Sequence, residues 1–156
     1  MTSHDKSKSS WKAYKLWLHS FAPWTHAVTF TFKRSNTKGQ PINEQIMTDA
    51  LRHFLRVLDR QCFRRSELSK GMVVPSAAVI GWGSFNDHPH AHLSLSKPPH
   101  LGLIEFTSFA VLAASKIDWL NHQKVFKSYV SEGWSSYLVD HGPKNIIESL
   151  LRAPQV

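Results

Sequence analysis

The sequence has one cysteine, Cys62, in 156 residues. That excludes a disulfide framework and a thiolate zinc site, and it points to a reducing, cytoplasmic compartment. Long apolar runs are also missing. The longest, residues 109–114, is far too short to span a bilayer. The polar stretch 1–10 lacks the apolar segment of a signal peptide, so no membrane partner is expected. Acidic residues are scarce, with 11 Asp and Glu against 19 Lys and Arg, a formal charge of +8. A surplus of that size favours an anionic partner, nucleic acid first, although a merely basic soluble protein would carry it too.

What is present is enough for a folded domain. Apolar residues make up 42% and aromatics 12%, which excludes a disordered chain. No repeat or linker divides the sequence. It reads as a basic, partly disordered N-terminal segment over 1–20 and a single domain over 21–156, more readily a monomer than an oligomer. Ten histidines are many for this length, so their placement matters.

Residues 1–10 are expected to be disordered and 11–18 to form a short helix that Pro23 breaks. In the strand over 26–32, His26, Val28, Phe30 and Phe32 share one face, and Ala27, Thr29 and Thr31 the other. Asn43 is a candidate N-cap. The twenty-residue helix after it has an apolar stripe of Met47, Ala50, Leu51, Phe54, Leu55 and Leu58, with Arg52, Arg56, Arg60 and Arg64 opposite. Further strands are expected over 77–82, 88–96 and 125–131, and helices over 106–119, 134–141 and 144–151. The order β-α-β-β-α-β followed by helix is the split βαβ, ferredoxin-like pattern. The predicted class is α+β: a four- to five-stranded antiparallel sheet, helices on one face, the other face open, and a C-terminal helix carrying a tyrosine.

The strand over 88–96 sorts most cleanly. Alternation places His88, His90, His92, Ser94 and Ser96 on one face and Pro89, Ala91, Leu93 and Leu95 on the other. The apolar set suits packing on the crossover helices, so the His/Ser set points to the open face. Residues two apart on a strand are about 6.5–7 Å apart, so two imidazoles can converge on one ion. The competing explanation is a solvated face that happens to hold histidines. Imidazole ligands suit Mn²⁺, Zn²⁺, Co²⁺ and Ni²⁺ better than Mg²⁺, which prefers oxygen. An ion with open positions can act as a Lewis acid on a phosphate.

Three tyrosines are present. A phenol titrates near pH ~10 and needs a nearby cation to become a nucleophile. Tyr137 lies early in the helix after the fourth strand and can cross the open face. Tyr129 falls within that strand, and Tyr14 in the N-terminal region.

Three segments together resemble the HUH (His–hydrophobe–His) endonucleases, in particular the small rolling-circle replication initiators of plasmids and phages. Residues 25–32 (THAVTFTF) look like the family's first-strand motif. His90, Ala91 and His92, followed by Leu93, Ser94 and Leu95, look like its metal motif. Residues 133–137 (GWSSY) look like its tyrosine motif. Order and spacing agree over residues 25–142. The resemblance implies a metal-dependent enzyme, using Mn²⁺ or Mg²⁺, that nicks single-stranded DNA at an origin or hairpin. Tyr137 would form a 5′-phosphotyrosine and free a 3′-OH, and reverse attack would rejoin the strand without ATP. A host helicase or polymerase is the partner such an activity implies. Two departures stand out. Where the family often has a glutamate ligand before the His motif, this chain has Gly81 and Trp82, leaving His88, then Asp87, as third-ligand candidates. Where it often has a lysine three residues after the tyrosine, this chain has Asp140.

Candidate DNA contacts are Thr29 and Thr31 on the open side of the first strand, Lys33 and Arg34 beyond it, and Lys144 after the tyrosine helix. The arginine row on the long helix reads better as a solvated face than as a phosphate track. Lys6, Lys8, Lys12 and Lys15, mixed with Trp11, Tyr14 and Trp17, suit single strands as well as they suit a docked helix. Two alternatives stay open: a non-catalytic single-strand binding module of RRM-like fold, and a single-tyrosine transposase of the same superfamily.

Overall fold

Strict alternation makes the first strand, β1 (His26–Phe32). His26, Val28, Phe30 and Phe32 are buried on one side, while Thr29 and Thr31 are half-buried on the other. The computed structural model describes residues 3–83, 88–140 and 146–155, without the side chains of 3–9, 123, 132, 136 and 140. The elements around β1 are α1 (Ser3–Ser20), α2 (Glu44–Cys62), α3 (Arg65–Leu68), β2 (Ser76–Trp82), β3 (Pro89–Leu95), α4 (Leu103–Ser115), β4 (Leu120–Lys127) and α5 (Glu132–Asp140).

The four strands form one sheet in the order β2-β3-β1-β4, with every neighbouring pair antiparallel. The α+β class is therefore as the sequence predicts, and the arrangement is compatible with a ferredoxin-like fold. Helix α2 links β1 to β2, and α4 links β3 to β4. Both cover the face that carries Val28, Phe30, Phe32, Ala91, Leu93 and Leu95. The Asn43 side chain accepts the Ile46 N–H at 2.8 Å, a cap worth about 1 kcal/mol. The expected stripe of α2 is buried whole. Arg56, Arg60 and Arg64 are exposed on the outer side of this layer, away from the histidine face.

Several expectations need correction. The opposite face is not open throughout. Leu18 of α1 and Leu138 and Val139 of α5 pack with Ala77, Val79 and Ile146 into a second, smaller core, with Trp11, Tyr14, Trp24 and Trp134 against it. Helix α1 runs from Ser3 and docks through Trp11, Tyr14 and Leu18, the docked-helix reading of this segment. Helix α4 starts and stops earlier than expected, because a turn with Leu120 N–H on the Ile117 carbonyl (3.1 Å) leads the chain back to the sheet. Strand β4 accordingly covers Leu120–Lys127 rather than 125–131. Its first half is polar because it is an edge strand with a solvent-facing side, so hydrophobic alternation underreports it.

The helix expected over 144–151 is absent from the described part of that range. There the chain bridges β2 at Val79↔Ile146 and Ser76↔Arg152, around a short 3-10 turn at Glu148–Leu150. Unpaired amides on the β2 edge compete successfully for this segment: Ser76 and Arg152 exchange backbone hydrogen bonds at 3.1 and 2.9 Å. The Arg152 guanidinium then forks onto both oxygens of the buried Asp59 carboxylate at 2.8 Å.

Candidate active site

Register fixes which side chains share the second face. Across β3, His92 is paired with Thr29 of β1 and Val79 of β2, and His90 with Thr31 and Gly81. Ala27 is paired with Ser94 on one side and Lys127 on the other. Cross-strand partners lie on the same face, so His90, His92, Ser94, Thr29, Thr31 and Lys127 share one surface.

Helix α5 crosses this surface above β3. The Trp134 indole N–H donates to Ser94 Oγ at 3.1 Å. One turn on, the Tyr137 ring lies over His92, with ring centroids 4.9 Å apart. Three helical residues advance about 4.5 Å and two strand residues about 6.6 Å. The Trp134–Tyr137 and Ser94–His92 pairs therefore match when α5 runs antiparallel to β3. Trp134 and Tyr137 stack on each other at 5.7 Å, and both rings stand steeply across the plane of the His92 ring.

The two ring nitrogens of His92 have distinct partners: Nδ1 is 3.0 Å from Thr29 Oγ1 and Nε2 is 3.3 Å from Tyr137 Oη. His92 is 7% exposed and Tyr137 42% exposed, so the phenol reaches solvent while its imidazole neighbour is held. A pocket of about 380 Å³ opens here, walled by Thr29, His92, Lys127, Tyr129, Trp134 and Tyr137.

His90 and His92 lie side by side, ring centroids 5.0 Å apart. His90 Nδ1 is 3.1 Å from the His88 carbonyl oxygen. That contact calls for the proton on Nδ1 and puts the ring's lone pair on Nε2. Gly81 stands opposite His90, and a Cβ there would lie 2.9 Å from His90 Nε2. The glycine thus makes room for the ring where the resembled family often has its glutamate.

The expected residues divide as follows. His90, His92, Thr29 and Tyr137 come together. Thr31 is next to His90 across the sheet. His88 is exposed, one residue before β3, and its carbonyl oxygen meets His90 Nδ1. Among the described residues no group of three His, Cys, Asp or Glu side chains converges. Asp87 and Lys144 lie outside the described residues. Lys33 and Arg34 are exposed beyond the far end of β1, and the Lys33 ammonium donates to the Asp118 carbonyl. Tyr129 lies just after β4 rather than within it, 65% exposed on the rim of the Tyr137 pocket. Tyr14 stacks on Trp17, and burial together with the Glu148 charge raises its phenol above the ordinary value.

Two other titratable groups are excluded from the chemistry by position. His26 faces the main core, edge-on to Phe106 and 2.8 Å from both Thr25 Oγ1 and Thr107 Oγ1. Burial, with Lys97 nearby, lowers its affinity for a proton. Burial pushes the Cys62 thiol up to about 12, so it holds no nucleophilic thiolate near neutral pH. Sequence reasoning missed Lys127 and the Trp134–Ser94 bond. The alternation of Lys124, Val125, Phe126 and Lys127 would have put Lys127 on the histidine face, had the strand been placed correctly. No protein family, curated protein or solved structure matches the chain. Among the described residues, no helix is long and apolar enough to cross a membrane.

Proposed function

We propose that this protein nicks and rejoins single-stranded DNA by transesterification at Tyr137, as the HUH rolling-circle initiators it resembles do. The sheet is then the ferredoxin-like split βαβ of that group, and α5 its tyrosine helix. The observation that carries the reading is the 3.3 Å contact between Tyr137 Oη and His92 Nε2 beside a solvent-open pocket. A +8 charge supports a polyanionic substrate.

The donor set fits a divalent ion. His90 and His92 offer two imidazole nitrogens on one strand face, which favours Mn²⁺ over Mg²⁺, with His88 or Asp87 as candidates for a third ligand. Such an ion, when bound, would draw charge from a phosphate oxygen as a Lewis acid. The chain's own residues do the rest. Thr29 fixes the His92 ring. Trp134, bonded to Ser94, holds α5 so that the phenol projects into the pocket. Tyr137 Oη attacks phosphorus as the P–O3′ bond breaks. The phenolic proton leaves and the departing 3′ oxygen takes one up, giving a 5′-phosphotyrosine and a free 3′-OH. Attack by that 3′-OH reverses the sequence and reseals the strand.

The test is incubation of the protein with Mn²⁺ and a pool of single-stranded oligonucleotides. An SDS-stable protein–DNA adduct is expected, lost on adding EDTA and absent in Tyr137→Phe. DNA binding with no adduct under any metal would refute the enzyme and leave a single-strand binding module.

A further inference from the structure

We propose that Lys127 is the cation that grips the phosphodiester attacked by Tyr137, an inference that rests on the nicking reading above. The pocket needs positive charge from the protein. A phosphodiester is anionic, and charge builds on its non-bridging oxygens as the nucleophile closes in. The tyrosine helix cannot supply this charge, since residues 132–140 contain no Lys or Arg. Lys127 is the one Lys or Arg among the described residues lining the pocket.

Its placement follows from register. Lys127 pairs with Ala27, whose other partner is Ser94, the residue that anchors Trp134. It therefore flanks the pocket from β4, across β1 from the His92 and Trp134 wall. Lys127 is exposed and forms no ion pair among the described residues. A lysine on a strand end is a point charge on a flexible stem, suited to following a phosphate that shifts between bound and reacting positions. Two other described lysines are excluded by position. Lys124, on the same strand, pairs with Phe30 and so belongs to the helix-covered face. Lys33 lies beyond the far end of β1, engaged with Asp118.

The test compares full-length wild type, Lys127→Gln, Lys127→Arg and Lys124→Gln. Single-turnover adduct formation is measured with Mn²⁺ and a single-stranded oligonucleotide at saturating concentration, and the DNA Kd separately. Lys127→Gln is expected to slow adduct formation about tenfold or more with a smaller change in Kd. Lys127→Arg should restore most of the rate, and Lys124→Gln should behave as wild type. A wild-type rate in Lys127→Gln, or equal losses in Lys127→Gln and Lys124→Gln, would overturn the role of Lys127 while leaving nicking intact. Failure of the wild type to form any adduct would overturn both.

Discussion

The phenolic oxygen of Tyr137 stands 3.3 Å from Nε2 of His92, across 45 positions of sequence. Three independent contacts hold this pair. Thr29 Oγ1 meets His92 Nδ1, the Trp134 indole donates to Ser94, and His19 Nδ1 reaches Ser135 Oγ at 3.2 Å to tie α1 to α5. A contact fixed from the sheet, from its own helix and from a second helix is preorganised, which a nucleophile requires if it is to meet its target without reordering.

The anchor on α5 can be removed without emptying the pocket wall. Trp134→Phe keeps an aromatic ring against His92 but loses the N–H bonded to Ser94. The loss in stability should be about 1 kcal/mol by urea unfolding. Adduct formation should fall as well, because the tyrosine is no longer fixed one turn downstream. An unchanged adduct rate would show that the helix is positioned by the second core alone.

Gly81 tests the seat of His90. In Gly81→Ala the new Cβ meets the far end of the His90 ring at 2.9 Å, and the ring must swing aside. Thermal stability should barely change, because a flexible side chain yields cheaply. Mn²⁺ affinity, followed by calorimetry, should fall about tenfold, as it does when a ligand loses its orientation. Equal affinity in the two proteins would separate His90 from the metal.

His26 gives stability a pH dependence. Its folded-state proton affinity is lowered from the ordinary value of 6.5, first by burial and then by Lys97. Above pH 6.5 the imidazole is neutral in both states and its contribution is complete. As the pH falls through 6.5 the unfolded chain takes up the proton first, so stability drops until the lower folded-state value is passed. Urea midpoints measured from pH 7.5 to 5 should fall more steeply in wild type than in His26→Gln. Parallel curves would contradict this.

Asp59 is 6% exposed and is held by Arg152 and by the Val74 N–H at 2.8 Å. Arg152→Met leaves that carboxylate buried without its partner and should cost about 3 kcal/mol or more in unfolding experiments. Asp59→Leu combined with Arg152→Met should cost less than the sum of the single changes, because neither charge is then stranded.

The sheet was legible because β1 and β3 are interior strands whose two faces meet different environments. Their alternation therefore sorts His26, Val28 and Phe30 from Thr29, and Ala91 and Leu93 from His90 and His92. The α2 stripe was legible for the same reason at helical period. Strand β4 was misplaced because an edge strand can be polar on its exposed side, and the segment after α5 because backbone pairing with β2 outweighed local helix preference. Docking of α1 was one of two readings the sequence allowed, since lysines mixed with Trp11, Tyr14 and Trp17 suit a strand-binding arm as well as a packed helix. At the site, the sequence alone brought together His90, His92 and Tyr137. The supporting residues, Lys127 and the Ser94–Trp134 bond, depend on register and helix direction, which no local pattern encodes.

The central claim is that Tyr137 is the nucleophile, and mapping the covalent product tests it most directly. Protein reacted with Mn²⁺ and a single-stranded oligonucleotide is digested with protease and nuclease, and the modified peptide is sequenced by mass spectrometry. A nucleotide joined through its 5′-phosphate to Tyr137 is the predicted result. A nucleotide on Tyr129, or no modified peptide in protein that binds the DNA, would contradict it.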